Sequence, residues 1–406
     1  MRNNISLLKK IGPGIIVAAT GVGAGDLITV SVAGAKYGYV LLWAVVLGGL
    51  LKYVLNEGIS RWQLSTNTSV LNAWQTKFPK FISWYFLIYL ILWTFIVSAA
   101  LMAACGLAGY SLYPDFSVTQ WGIAHALVAF IIVYMGKYRS IEALMKFFIA
   151  IMFVVTILSA ILSNPDWAAI GSSIVVPRIP AGSVKFILGV IGGVGGSVTL
   201  LSYGYWMREK AWKGSSFMKQ SRIDLSVAYL LTALFGVAVM IIAGAIKPEV
   251  IESKNMVIAL ADQIELVLGS TMKWIFLIGF WGAVFSSMIG VWHGVPYLFA
   301  DYYNQHKKLN VKDQNLSKTK AYRWYLGFIV FPPMIILFLG KPVWLVILYA
   351  VIGAFFMPFL AASLLYMNNK IKWIGEMRNK WLMNGLLAVS LVLFIYLLVE
   401  EIIKRF

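Results

Sequence analysis

The sequence predicts an all-α polytopic membrane protein of eleven spanning segments, two of them broken near the middle. Three observations predict it. Of 406 residues, 60% are hydrophobic and 12% charged, where soluble domains carry roughly 25% charged residues. The apolar residues come in runs of about 20, the length that crosses a bilayer core at about 1.5 Å per residue. Two of those runs contain glycine clusters where a spanning helix would be regular.

The apolar segments cover 12–36, 40–60, 81–109, 118–136, 141–163, 184–207, 225–246, 272–302, 322–339, 343–367 and 381–402. The first follows "MRNNISLLKK", a signal-peptide-like start, but Gly12-Pro13-Gly14 and Asp26 interrupt its apolar part, so it reads as a retained span. The linkers near 163–184, 247–271 and 303–321 have room for short helices and turns only. Within them, "NMVIALADQIELVL", 255–268, has the spacing of an amphipathic helix outside the membrane. The chain 1–406 therefore reads as one membrane domain.

The net charge of +18 does not call for a nucleic-acid partner. Alternate loops and segment ends, from Arg2, Lys9 and Lys10 to Lys370, Lys372, Arg378 and Lys380, hold 24 of the 34 basic residues. The opposite ends hold nine, and Lys52, inside segment 2, is the remaining one. The positive-inside rule then puts the N-terminus in the cytoplasm. An odd number of spans puts the C-terminus outside, in a multi-pass protein of the plasma (inner) membrane. The single cysteine, Cys105, excludes a disulfide framework and a cysteine metal cluster. Three histidines make a His-rich site a poor expectation.

Segment 1 contains "ATGVGAGDLIT", 19–29, with glycines at 21, 23 and 25 and then Asp26. Segment 6 contains "ILGVIGGVGGSVTLLSYGYW", 187–206, with Gly189, Gly192, Gly193, Gly195 and Gly196 followed by Ser197 and Thr199. Glycines are common where membrane helices pack closely, and for segment 6 alone packing is an even alternative. An acid at a helix centre costs about 2.5–3.5 kcal/mol on insertion scales, which marks Asp26 as functional. Breaks five segments apart in corresponding positions point to a transporter of two inverted repeats with its site at the midplane. The repeats would run over about 12–163 and 184–367, with 381–402 as an extra helix. Unwound chain is tolerated in a membrane only where it lines a cavity. It would offer carbonyl oxygens to a cation and N–H groups to an anion.

Other candidates carry less. Glu57 is set to pair with Arg61 at i+4, a structural or gating pair. His293 in segment 8 suits a hydrogen-bonded packing role better than a relay. Glu57, Glu142, Glu209, Asp224 and Asp301 fall toward cytoplasmic ends, where water or lysines are expected to reach them. "WMREKAW", 206–212, reads as an interfacial anchor. No catalytic arrangement or nucleotide-binding motif is present, so no enzyme, cofactor or obligate protein partner is expected; the lipid bilayer is the surrounding.

The residues "GPGIIVAATGVGAGDLITVSVAGAKYGYVLLW", 12–43, resemble the first helix and start of the second in the Nramp (natural resistance-associated macrophage protein) divalent metal transporters. "WGAVFSSMIG", 281–290, is similar to that family's segment 8. The resemblance implies the LeuT-type fold, two inverted five-helix repeats with segments 1 and 6 broken around the site. It implies divalent metal transport by alternating access. There are departures. The family's DPGN is Gly23-Ala24-Gly25-Asp26 here, so its metal-binding Asp position is Gly23 and one carboxylate remains, three residues on. Its segment 6 motif, MPHN, is replaced by something like Gly196-Ser197-Val198-Thr199, without the methionine or the histidine. Segment 3 has none of its acids. An all-oxygen site suits Mg²⁺, Ca²⁺ or Mn²⁺ over softer metals, and the family's usual proton route is missing.

The expected site thus comprises Asp26, carbonyls near Gly23, Gly25, Gly193, Gly195 and Gly196, and the hydroxyls of Ser197 and Thr199, with Glu57 and His293 as gating or relay candidates. The alternative is a LeuT-fold carrier of a small organic solute such as an amino acid or amine, held at the same freed helix ends.

Overall fold

The computed structural model describes residues 12–403, apart from 22, 24, 137, 247 and 310–312. It is helical throughout, with no strand among the described residues. The helices are α1 Pro13–Gly21, α2 Val30–Tyr37, α3 Leu42–Thr66, α4 Val70–Thr76, α5 Lys80–Leu112, α6 Val118–Met135, α7 Tyr138–Leu162, α8 Trp167–Val175, α9 Val184–Gly193 and α10 Ser202–Glu209. They continue as α11 Met218–Ala243, α12 Pro248–Ile251, α13 Met256–Leu268, α14 Ser270–His306, α15 Lys320–Val330, α16 Pro342–Ala354, α17 Phe356–Met367, α18 Ile371–Ile374 and α19 Trp381–Ile403.

Apart from the breaks in segments 1 and 6, the described residues of the eleven apolar segments lie mainly on helix, and the expected amphipathic helix is α13. Among the described residues, nine helices are long and apolar enough to cross a membrane, or up to ten if the bent pair at the end of α7 and α8 is one span. The residues Leu27–Thr66 enter that number as one 40-residue stretch. That stretch would be about 60 Å long as a straight helix, twice a bilayer core. The turn at Gly38, with φ 59°, divides it into the end of segment 1 and segment 2.

The bundle turns two kinds of face outward and inward. On α5, Phe81, Trp84, Ile88 and Leu92 repeat at helical spacing and are 67%, 50%, 57% and 62% exposed. Such a continuous apolar stripe is stable only against lipid or another protein. The inward faces bury Trp62, Trp74, Trp93, Trp206 and Trp292 almost completely. A proline pair explains the irregular ninth span. Pro332 and Pro333 end α15 and tighten residues 332–339 into a 3-10 turn, because neither donates a backbone N–H. Pro296, by contrast, is carried inside the unbroken α14.

Segment ends assigned to one side by charge meet one another. Arg61 donates to the Met377 carbonyl at 2.8 Å, and Arg222 pairs with Glu57. At the other end Lys36 pairs with Glu252 at 2.6 Å, and Lys273 with Asp262 at 2.8 Å.

The start of α1 shows why the Gly-Pro-Gly sequence is there. Asp224 of α11 accepts from the Gly12 N–H at 3.0 Å and the Gly14 N–H at 2.6 Å. The Tyr203 hydroxyl donates to it at 3.0 Å. A Cβ on Gly14 would lie 2.6 Å from the Asp224 carbonyl oxygen, so glycine is what lets the two chains meet. The carboxylate caps a helix end whose first N–H groups have no partner and whose dipole is positive. The expectation that water or lysines reach Asp224, Glu57 and Asp301 is corrected: they are 0%, 1% and 5% exposed. Of Glu142, only the backbone is described. Asp224→Asn should lower stability by about 2 kcal/mol, the upper range for a buried charge at a helix end. Thermal unfolding in detergent checks this, and an unchanged melting point would refute the latch.

Candidate functional site

Both expected breaks are present. Segment 1 is helical over Pro13–Gly21, turns at Gly23, passes through one π-helical turn over Gly25–Thr29, and resumes as α2. Segment 6 stops as α-helix at Gly193 and resumes through a 3-10 turn, Val198–Leu201, into α10. Gly195 and Gly196 have φ of 70° and 81°, a backbone region that costs side-chain-bearing residues about 1 kcal/mol or more. These two glycines make the break.

The breaks touch. A Cβ on Gly25 would come 3.3 Å from Gly193 Cα and 2.3 Å from the Tyr349 hydroxyl of α16. A Cβ on Gly193 would come 3.3 Å from the Gly25 carbonyl oxygen. Gly23 lies against α14, where its Cβ would be 2.2 Å from Ser287 Cβ. The Ser287 hydroxyl donates to the Thr20 carbonyl at 2.7 Å, holding the end of α1 in place.

Three carbonyls of the last turn of α9, and one beyond it, have identified donors. That of Val190 accepts from the Val194 N–H at 2.8 Å, and that of Gly193 from the Gly196 N–H at 3.0 Å. That of Gly192 accepts from the Lys52 ammonium at 3.1 Å. The Gly196 carbonyl accepts from the same ammonium. Lys52 is fully buried, at 0% exposure, on α3. An ammonium out of water costs several kcal/mol unless it is compensated. Here the compensation includes the Gly192 carbonyl at the negative end of the α9 dipole and the Gly196 carbonyl of the unwound loop. One turn on, the Asn56 amide donates to the Tyr229 hydroxyl at 3.0 Å, and the Tyr229 ring packs where a Cβ on Gly195 would be, 2.6 Å away.

The expected site residues fall out as follows. Gly25 and Gly193 come together at the contact of the breaks, while Gly195, Gly196 and Ser197 form the unwound loop of segment 6. Thr199 lies in the 3-10 turn and is 6% exposed. The Ser197 hydroxyl is buried with no hydrogen-bond partner, as are those of Thr20 and Ser202. The backbone of Asp26 lies in the π-turn; its side chain is outside the described residues. Glu57 pairs with Arg61 as expected and also with Arg222. His293 Nδ1 accepts from the Trp206 indole at 3.1 Å, a hydrogen-bonded packing role. Trp206 is 0% exposed, so it is a core residue and not an interfacial anchor. Among the described residues, no group of three His, Cys, Asp or Glu could hold a metal ion. Lys52 was the residue that sequence reasoning passed over, and its signal was plain: a lone lysine within "VVLGGLLKYVLN", 45–56.

A helical bundle with two broken spans meeting at its centre defines an integral membrane protein of the LeuT-type transporter fold. Residues 14–404 match the family described as "Natural resistance-associated macrophage protein-like", and the chain belongs to that family. It is similar to the divalent metal cation transporter MntH of Yersinia pestis (strain Pestoides F), 24% identical over 247 residues, which is 59% of this chain and 59% of that protein. It is 23% identical to the MntH of Deinococcus radiodurans over 255 residues, 59% of this chain and 56% of that protein. The chain thus spans about 59% of the length of the curated relatives it matches. Among solved structures it resembles a mutant of the Eremococcus coleocola manganese transporter, with TM-score 0.76 and 16% identity over 98% of this chain and 87% of that one. It also resembles MhsT in complex with L-phenylalanine, with TM-score 0.53 and 16% identity over 93% of this chain and 97% of that one.

Proposed function

We propose that this chain carries divalent metal cations across the membrane by alternating access, binding them where the two breaks meet. The observation that carries it is the contact of the two breaks, Gly25 against Gly193, beside the buried, partnerless hydroxyl of Ser197. Family membership and the names of the relatives agree with it. The ligands are Asp26, carbonyls near Gly23, Gly25 and Gly195, and the hydroxyls of Ser197 and Thr199; of the other expected carbonyls, that of Gly193 accepts from the Gly196 N–H and that of Gly196 from Lys52. The partnerless hydroxyl of buried Ser197 supports that assignment. The donors are oxygens, which suit a hard ion such as Mg²⁺ or Mn²⁺ that keeps some of its water. The ion is substrate; the chain takes no cofactor and performs no catalysis. Transport is not coupled to protons by the family's usual route. Its two repeats, 12–163 and 184–367, and the helix 381–402 sit in the plasma membrane with the N-terminus in the cytoplasm and the C-terminus outside.

A second reading, a carrier of a small organic solute such as an amino acid or amine, is favoured by Lys52. Its ammonium already takes two of the carbonyls a metal would use.

Proteoliposomes holding a metal-sensitive dye and an internal pH probe separate the two. Saturable influx of Mn²⁺, Mg²⁺ or Ca²⁺ is expected, falling at least about tenfold in Asp26→Ala, the equivalent of ~1.4 kcal/mol, with no pH change. Folded protein that passes none of the three ions would end the metal reading.

A further inference from the structure

We propose that Lys52 is a tethered cation. Its ammonium fills the position at the end of the α9 half-helix that a small inorganic cation would otherwise occupy, and removing it opens an ion site there.

Three features lead to this. First, its acceptors are the Gly192 carbonyl in the last turn of α9 and the Gly196 carbonyl of the unwound loop. Unwound carbonyls and half-helix C-terminal ends are the donors that coordinate cations in broken-helix transporters. Second, the loop is shaped to present them. Gly195 and Gly196 take positive φ, and the ring of Tyr229 closes over Gly195. Third, Lys52 comes from a different helix, α3, and is fully buried. A lysine serving only to pack would leave its charge at an interface, because the long stem lets the ammonium reach water. This one delivers its charge inward to the break.

The consequence is a positive charge at the site that never dissociates. A transported ion must then be held on the other side of the break, toward the 25–29 turn and Ser197. A mobile coupling ion at the end of α9 is unnecessary. The wild-type protein should therefore be equally stable in sodium, ammonium and choline chloride.

The test is thermal unfolding of the full chain in detergent, in these three salts at equal ionic strength. Lys52→Ala should unfold several degrees lower in choline, and recover saturably with ammonium or sodium. Lys52→Met fills the same passage with an uncharged chain of similar length, and should show the loss without the recovery. The inference is overturned if Lys52→Ala behaves alike in all three salts or fails to fold in each. It is also overturned if wild type gains as much from sodium as the variant does, which would place the ion elsewhere. Unfolding involves no flux, so this result stands apart from that of the divalent influx assay.

Discussion

Restoring the family's acid at position 23 should cost most of the folded protein, and one change on α14 should recover the steric part of that loss. A Cβ at Gly23 would sit 2.2 Å from Ser287 Cβ and 3.2 Å from the Ala283 carbonyl oxygen. No rotamer of Ser287 moves its Cβ, so the backbone of segment 1 or of α14 has to shift. Overpacking costs about 1–3 kcal/mol, sometimes more. A new acid within a span adds about 2.5–3.5 kcal/mol on insertion scales. Gly23→Asp alone should therefore lose most of its yield and at least about 3 kcal/mol of stability. Gly23→Asp with Ser287→Gly removes the 2.2 Å clash and should recover the packing share of that loss, leaving the cost of the acid itself. Ser287→Gly alone loses the hydrogen bond to the Thr20 carbonyl, worth about 1 kcal/mol. Gly23→Ala with and without Ser287→Gly separates sterics from charge. The readouts are yield on size exclusion and melting temperature. A single mutant as stable as wild type would refute the packing account. The strong non-additivity expected here is what touching residues show in a double-mutant cycle.

That prediction bears on how the family motif was lost. The space an acid would need at position 23 is held by Ser287. The remaining carboxylate stands three residues on, in a π-turn that touches Gly193 through Gly25. The packing around the break has closed over position 23.

Much of the fold was legible because hydrophobicity and glycine act locally. Each apolar run is on helix, since a backbone in hydrocarbon must satisfy its own hydrogen bonds. The two glycine clusters break their helices, and Gly195 and Gly196 do so through positive φ. What was not legible depends on distant chain. Asp224 looked solvated because nothing local shows that Gly12 and Gly14 will meet it from 212 and 210 residues away. Trp206 looked interfacial because its neighbours are charged, yet it faces His293 on α14. Lys52 looked like a leftover in the charge count. Its role depends on where the carbonyls of segment 6 point, and that follows from the break itself.

The second large effect is expected at Glu57, and its two arginines should behave very differently. Glu57 is 1% exposed and receives Arg61, whose side chain is 6% exposed, and Arg222, whose side chain is 46% exposed. Arg61 also holds the Met377 carbonyl at 2.8 Å and so ties α3 to the turn before α19. Breaking a buried pair by removing one partner costs about 3–5 kcal/mol, because the other charge stays buried. An exposed pair is worth about 0–1 kcal/mol. Glu57→Gln should therefore cost several times more stability than Arg222→Gln, with Arg61→Gln close to Glu57→Gln. Unfolding of the three variants in detergent decides it. If Arg222→Gln proved as costly as Glu57→Gln, the buried arginine would not be the partner that matters. If the two buried variants kept their melting points but lost influx, the pair would be a gate and not a brace. The burial of Arg61 and its reach to the Met377 carbonyl favour the brace. A gate has to open, and this pair would have to expose two charges and release a backbone carbonyl each time it did.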